Sequence, residues 1–458
     1  MKPPGHLARI PLGVGESLKK RRNVVLLALG VALLGFGGGG AAACKFAFNC
    51  HLRNTGSVNQ QLNHLAKEDR GQPAQLAAGF TESSVAHGLV FPTDFAFLPD
   101  GSALITQKNG LVLHAVNGEI RRTPFANLQA RVATEFYRGL MAIAVDPRYS
   151  TNHFIYLLYA QRPAGPPKGP TTMRLVRLTA RGESAPISTL KVLLGGAGTR
   201  PCDKLPRGSD CLASYGDVDG GAIEFAEDGT MFVSTGDGGG FDKEIEPGAL
   251  NAQSVDALEG KVLHITRDGE GLPSNPFWNG DAHANRSKVW AYGFRNPFRM
   301  TLRPDSQMVF LGDVGSHLYE EIDAVTKGGN YGWPCYEGPT RTKVYAGTPL
   351  CTRLYHRGAR AVHGPAYTYR HAGSVAVTGG TFYTGPTHAG LRRETYVFGD
   401  WVGSWLKLLS FDAAGRSQGA PRPFATNASG PVALKMGPGD ALYYLSLNAG
   451  VLRRIDGP

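Results

Sequence analysis

A chain of 458 residues has room for two or three ordinary domains or one large repeat architecture, and its composition favours the second. Glycine (61) and proline (30) make up about a fifth of the residues, apolar residues 42% and charged ones only 19%, a turn-rich make-up that still buries a core and excludes collagen, coiled coil and bulk disorder. Of the formal charge of +11, residues 1–22 carry +5 (Lys2, Arg9, Lys19, Lys20, Arg21 and Arg22 against Glu16), and no basic stripe with interleaved aromatics follows, so no nucleic-acid partner is expected.

Asn23 to Cys44 carries no charge, opens VVLLALGVALLGF and ends GGGGAAAC. Behind a basic flank this reads as an export signal or membrane anchor, since four consecutive glycines suit no buried helix. The positive-inside bias then puts everything after Cys44 outside the cytoplasm, periplasmic or at the cell surface. Cleavage near the small residues, retention as an anchor and lipid attachment at Cys44 all remain open. The six cysteines form three sequence-local pairs, Cys44/Cys50, Cys202/Cys211 and Cys335/Cys351, with no CxxC and no metal-site spacing. They are read as two or three disulfides closing surface loops, Cys202–Cys211 and Cys335–Cys351 among them. Residues 45–75 are polar and read as a tether, leaving 76–458 as the folded domain.

From Pro92 onward the chain repeats an alternating apolar strand, a turn of Pro-Asp-Gly type and a second strand. The copies are DFAFLPDGSALITQ from Asp94, MAIAVDPRYSTNHFIYLLYA from Met141, GAIEFAEDGTMFVSTGDGGG from Gly221, FRMTLRPDSQMVFLGDVG from Phe298, GGTFYTGPTHAGLRRETYVFGDW from Gly379 and VALKMGPGDALYYLSL from Val432. No stretch after Gln75 has a convincing helical period. Six hairpins, each inside a four-stranded antiparallel blade with long loops, close into an all-β six-bladed propeller. Residues near 78 to 90 are expected to complete the blade containing Val432 to Ile455.

The segments LEGKVLHITRDGEGLPSNPF, AYGFRNPFRMTLRPD, GDVGSHLYEEIDAVTKGGNYGWPCYEG and VTGGTFYTG resemble the glucose/sorbosone dehydrogenase family over about residues 78 to 456. These six-bladed propellers include soluble aldose sugar dehydrogenases that use pyrroloquinoline quinone (PQQ) and calcium. The resemblance implies PQQ-dependent oxidation of an aldose or related polyol at the central mouth, with Asp217, Asp237 and Arg295 at the reacting carbon. It implies Arg295, Asn296 and Thr378 as cofactor contacts, and the turn Gly315-Ser316 with Glu320, beside Glu321 and Asp313, as calcium donors.

The departures from the family pattern fall on the chemistry. The family's proton-accepting histidine corresponds to Val218, and a valine carries no proton. Asp217 or Asp219 substitutes only with a pKa raised by burial. PQQ has three carboxylates and wants guanidinium forks, yet the family's arginine pair falls at Gly430 and Val432, its lysine near Val402, and its glutamine at Phe298. Lys435 and Lys407 are the candidates to compensate. His264 and His371 read as structural, Trp333, Trp401 and Trp405 as blade packing. A second reading follows from these gaps, a non-catalytic propeller whose mouth binds a glycan or a protein.

Overall fold

The computed structural model describes residues 73–166, 169–216, 219–239, 245–371, 375–388 and 390–457. The basic head, the segment Asn23–Cys44, Cys44, Cys50 and nearly all of the tether lie outside these residues. Each of the six repeats forms the two inner strands of a blade. The innermost strands are Pro92–Phe97, Leu140–Val145, Ala222–Phe225, Pro297–Leu302, Val377–Phe382 and Pro431–Gly437, and each begins an antiparallel sheet of four or five strands.

Alternation dictates how the blades pack. Successive side chains of a strand point to opposite faces, so every blade offers an apolar face to each neighbour. Six buried clusters result, one per pair of adjacent blades. Tyr156 and Leu158 of the second blade meet Val233 and Leu263 of the third, for example, and Phe95 and Ile105 of the first meet Ala433 and Leu445 of the sixth. The last pairing closes the ring. It is fastened by the strand Thr81–Ala86, which pairs with Val451–Asp456 as the expectation for residues 78 to 90 required. Glu82 accepts from Arg453 Nη1 at 2.8 Å and from the Tyr444 hydroxyl at 2.6 Å. The polar segment ends sooner than its composition suggests, because Gln75–Leu76 adds a fifth strand to the fifth blade opposite Ala425 and Thr426.

Five of the six innermost strands carry a register shift at their second residue, at Thr93, Met141, Phe298, Thr378 and Val432. A bulged residue leaves the ladder, and its carbonyl is free to turn elsewhere. Four of these carbonyls turn to one side chain. Arg299 donates from Nη2 to Thr93 and Met141, from Nη1 to Phe298 and Gly221, and from Nε to Val432. All five guanidinium N–H groups are thereby used, on carbonyls from every blade except the fifth, and the axial channel is plugged. Beside the plug, Lys435 Nζ lies 3.0 Å from Asp94 Oδ1, and burial pushes the Glu224 carboxyl up to about 7.

Both disulfides predicted within the described residues are present, Cys202–Cys211 and Cys335–Cys351. The second anchors an element absent from the sequence reading, the helix Pro349–His356, capped where Thr348 Oγ1 accepts from Cys351 N at 3.2 Å. It buries only Cys351 and Leu354, too short an apolar stripe to register as a period. Among the described residues no helix is long and apolar enough to cross a membrane.

Candidate active site at the propeller mouth

In an antiparallel blade, the loop from second to third strand and the loop from fourth strand to the next blade lie at the same end. Asp237 and Arg295 come from these two kinds of loop on the third blade. Asp237 follows the strand Met231–Thr235, and Arg295 precedes Pro297–Leu302. The backbone joins them directly, for Asp237 N donates to Arg295 O at 2.8 Å. Gly220 N donates to Asn296 Oδ1 at 3.0 Å, and Gly236 N to Asp219 O at 2.8 Å. Glycine is required at 220, where φ is +64° and a Cβ would stand 2.4 Å from Gly236 N.

Asp237 is 2% exposed. Its Oδ1 accepts from Gly239 N at 2.8 Å and its Oδ2 from Trp333 Nε1 at 2.6 Å. Burial raises its pKa to about 6, against the pull of the Arg295 charge and these two donors. Arg295 gives Nη1 to the carbonyls of Val314 and Gly315, at 2.9 and 2.7 Å, and its guanidinium lies 5.5 Å from the Trp333 ring. Its backbone and that of Asn296 both donate to the Asp313 carboxyl, which burial pushes up to about 7. The site therefore holds a carboxyl that titrates near neutrality beside a guanidinium, with a second such carboxyl contributed by the fourth blade.

Of the residues expected at the reacting carbon, the structure brings Asp237 and Arg295 together, while Asp217, like Val218, lies outside the described residues. Asp219 accepts from Ser214 Oγ at 2.9 Å, and that serine in turn accepts from Arg138 Nε at 3.1 Å. Trp333 does more than pack, being the indole donor to Asp237. Nothing in its spacing announces this, since the two residues are 96 apart. His264 and His371 are structural as read: His264 bonds Asn275 and Thr230, and His371 lies 2.7 Å from Glu320. Two buried mouth lysines went unremarked in the sequence. Lys108 donates to the carbonyls of Thr134 and Phe136 and is lowered by burial to about 8; Lys261 donates to those of Asn251, Ala252 and Glu259 and is lowered to about 7.

The residues on blades four and five fit one side of a PQQ molecule. Thr378 is 1% exposed, and its Oγ1 is a buried hydroxyl without a partner among the described residues. Asn296 and Arg295 add donors. The sixth blade does not supply the arginine fork. Gly430 has φ +70°, and a Cβ there would meet Asn448 Nδ2 and Trp401 Cδ1 at 2.8 Å, while Val432 is buried with its carbonyl on Arg299. Neither compensating lysine fills the gap, as Lys435 pairs with Asp94 and Lys407 lies 3.9 Å over the Trp405 ring.

The expected calcium donors are not gathered. Gly315 O accepts from Arg295, and Glu320 accepts from His371 and from Val377 N. Ser316 N, with the N–H groups of His317, Leu318 and Tyr319, donates to one oxygen of Glu337, at 2.7, 2.8, 2.7 and 3.2 Å. A turn that aims four N–H groups at a carboxylate is an anion nest, the wrong polarity for a cation. Strand alternation points Glu320 away from Glu321, whose own carboxyl burial pushes up. Among the described residues no group of three or more His, Cys, Asp or Glu could hold a metal.

Known proteins resemble this chain. The HIPL2 protein of Arabidopsis thaliana is 28% identical over 370 residues, covering 70% of this chain and 51% of its own length. The chain thus spans about half of that relative. The aldose sugar dehydrogenase YliI of Escherichia coli is 28% identical over 287 residues, which are 60% of this chain and 70% of that one. The PQQ-bound form of aldose sugar dehydrogenase from Streptomyces coelicolor superposes with a TM-score of 0.61 at 21% identity, over 83% of this chain and all of that one, a likeness of fold. Residues 89–450 match the Glucose / Sorbosone dehydrogenase family as a unit. From its six blades, its mouth and that match, the chain belongs to the glucose/sorbosone dehydrogenase family.

Proposed function

We propose that the mouth oxidises a hydroxyl of an aldose sugar or related polyol, with PQQ held by Arg295, Asn296 and Thr378. The observation that carries this reading is the buried Asp237 carboxyl, raised to about 6 beside Arg295. Bound PQQ supplies a two-electron acceptor. Asp237 takes the hydroxyl proton in place of the absent histidine, since a base works best with a pKa near the operating pH. Each carboxylate oxygen accepts one hydrogen bond from the protein and keeps a lone pair for that proton. Arg295 stabilises the negative charge that develops on the substrate oxygen, and Trp333 fixes the orientation of the carboxylate. The chain acts outside the cytoplasm, with the segment before Cys44 as export signal or anchor, a location supported by the two disulfides.

Calorimetric titration of the chain with PQQ, followed by dye-linked assay on a panel of sugars, tests the reading. Micromolar binding with sugar-dependent dye reduction is expected. The missing arginines at Gly430 and Val432 favour a second reading, in which the mouth binds a glycan without turning it over. Absence of PQQ binding selects that one.

A further inference from the structure

Beyond residues 1–22, the positive charge of this chain is gathered in one run. Of the +11, those residues hold +5 and residues 338–393 hold +8, so everything else is net acidic at −2. From Gly338 to Arg393 no aspartate or glutamate offsets eight lysines and arginines, the exception to the expectation that no basic stripe follows residue 22.

Most of the run belongs to the connection between the strands Tyr319–Val325 and Tyr367–Arg370 of the fourth blade. This connection climbs beside the strand Val289–Tyr292 to the mouth, with Tyr331 N donating to Tyr292 O at 2.8 Å and Trp333 N to Gly293 O at 2.9 Å. There it forms a wall. The Tyr345 ring lies 5.8 Å from that of Trp333, the indole donor to Asp237, and the Cys335–Cys351 disulfide and Leu354 pack the wall against Ala249 and Ala252.

Five exposed cations stand on the wall, Arg341, Lys343, Arg353, Arg357 and Arg360, and exposed Arg370 ends the strand that follows it. None of the six has an ion-pair partner among the described residues. The one acid of the connection, Glu337, is buried and taken up by the 316–319 turn. Two of the guanidinium groups are held in place. Arg341 lies 4.4 Å over the ring of Tyr355, whose hydroxyl donates to Cys335 O at 2.7 Å, and Arg370 lies 5.5 Å from the Tyr319 ring. A guanidinium stacked by its face keeps its N–H edge for a carboxylate. The dipole of the helix Pro349–His356 accounts for Arg353 and Arg357 at its C-terminal end, but not for Arg341, Lys343 or Arg370. Unpaired like charges on a wall fixed by a disulfide repel one another, and a bound anion relieves the repulsion.

We propose that this wall is a subsite for acidic glycans, a uronate chain whose end lies at the mouth and whose carboxylates meet the unpaired guanidinium groups. The assignment rests on the mouth being a sugar site, and it names the substrate class. A linear saccharide leaving the mouth on this side runs across the wall, so its charge is read there and its reacting ring at Asp237 and Arg295.

The test is calorimetry on the whole chain at neutral pH and low salt with four probes: a galacturonate hexamer, its full methyl ester, an oligonucleotide of the same charge and vesicles of phosphatidylglycerol. The acid hexamer is expected to bind at least about tenfold tighter than the ester, a margin that narrows as salt is raised. The double variant Arg353→Gln, Arg357→Gln should erase most of that margin. Arg392→Gln, Arg393→Gln removes the same charge from the hairpin between Val377–Phe382 and Tyr396–Asp400, at the end of the fifth blade away from the mouth, and should leave the margin intact. Equal affinity for acid and ester, no binding of the hexamer, tighter binding of the oligonucleotide or the vesicles, or a margin untouched by the first double variant or equally lost in the second each overturns the proposal. The dye-linked assay separates the two readings. Uronate preference without dye reduction sinks the oxidation alone, and dye reduction without uronate preference sinks the subsite alone.

Discussion

Arg295 and Arg299 stand four residues apart in sequence and define two regions with opposite economies of hydrogen bonding. In the channel, Arg299 spends every N–H on carbonyls of its own chain, and Lys435 is matched to Asp94. In the mouth, Arg295 sits among carboxyls that burial has raised toward neutrality, and the Thr378 hydroxyl has no partner among the described residues. A saturated guanidinium holds the ring together; a carboxyl poised between its charge states suits the proposed proton transfer. Residue type alone does not decide which, because the bulges that turn four carbonyls toward Arg299 decide it.

The contrast breaks most severely at the plug. Arg299→Met strands five carbonyls and should cost about 3–5 kcal/mol, as for breaking a buried ionic site from one side, read by urea unfolding. A loss under about 1 kcal/mol would mean that water replaces the guanidinium without penalty.

In the mouth, Asp237→Asn keeps the shape and removes the base. The proposed oxidation predicts a fall in kcat of about a hundredfold or more with little change in KM, and a stability loss of about 1–3 kcal/mol because the amide nitrogen faces one of the two N–H donors. Unchanged turnover would remove Asp237 from the chemistry.

The two regions also share a dependence on pH. Asp237 near 6 and Glu224 near 7 hold their protons more tightly in the folded chain than in the unfolded one. Their contribution to stability is complete below the unfolded carboxyl range and disappears as pH rises through 6 to 7. The melting temperature should therefore decline between about pH 5 and 8. Glu224→Gln should flatten that decline without altering the acid limb of the rate profile, and an unchanged slope would mean that Glu224 titrates normally.

The smallest effect is at Trp333. Its indole N–H favours the ionised Asp237, so Trp333→Phe should move the acid limb of kcat/KM to higher pH while leaving the limiting rate within a few-fold. A shift to lower pH would contradict the assigned hydrogen bond.

Much of the ring was legible because hairpins are local. Asp-Gly and Pro-Asp turns between alternating strands mark the inner pair of every blade, and both described disulfides join near neighbours in sequence. Asp237 and Arg295 were found through resemblance, each at a strand end with a recognisable flank. What escaped was made by contacts between distant segments: the indole of Trp333 on Asp237, Glu337 in the nest of the 316–319 turn, and the convergence on Arg299. No periodicity encodes such meetings. The expected calcium donors stand apart for the same reason, since adjacent glutamates in a strand face opposite ways and only the partner strands reveal where each goes.

The clasp at Glu82 and Arg453 has a consequence for how the chain is made. The strand Thr81–Ala86 leaves the ribosome long before its partner Val451–Asp456. Until those residues arrive, the sixth blade lacks half of its sheet, and the apolar faces of Ala433 and Leu445 have nothing to complete them. Closure therefore waits for the sixth blade. Until then the early strand waits with its edge unpaired.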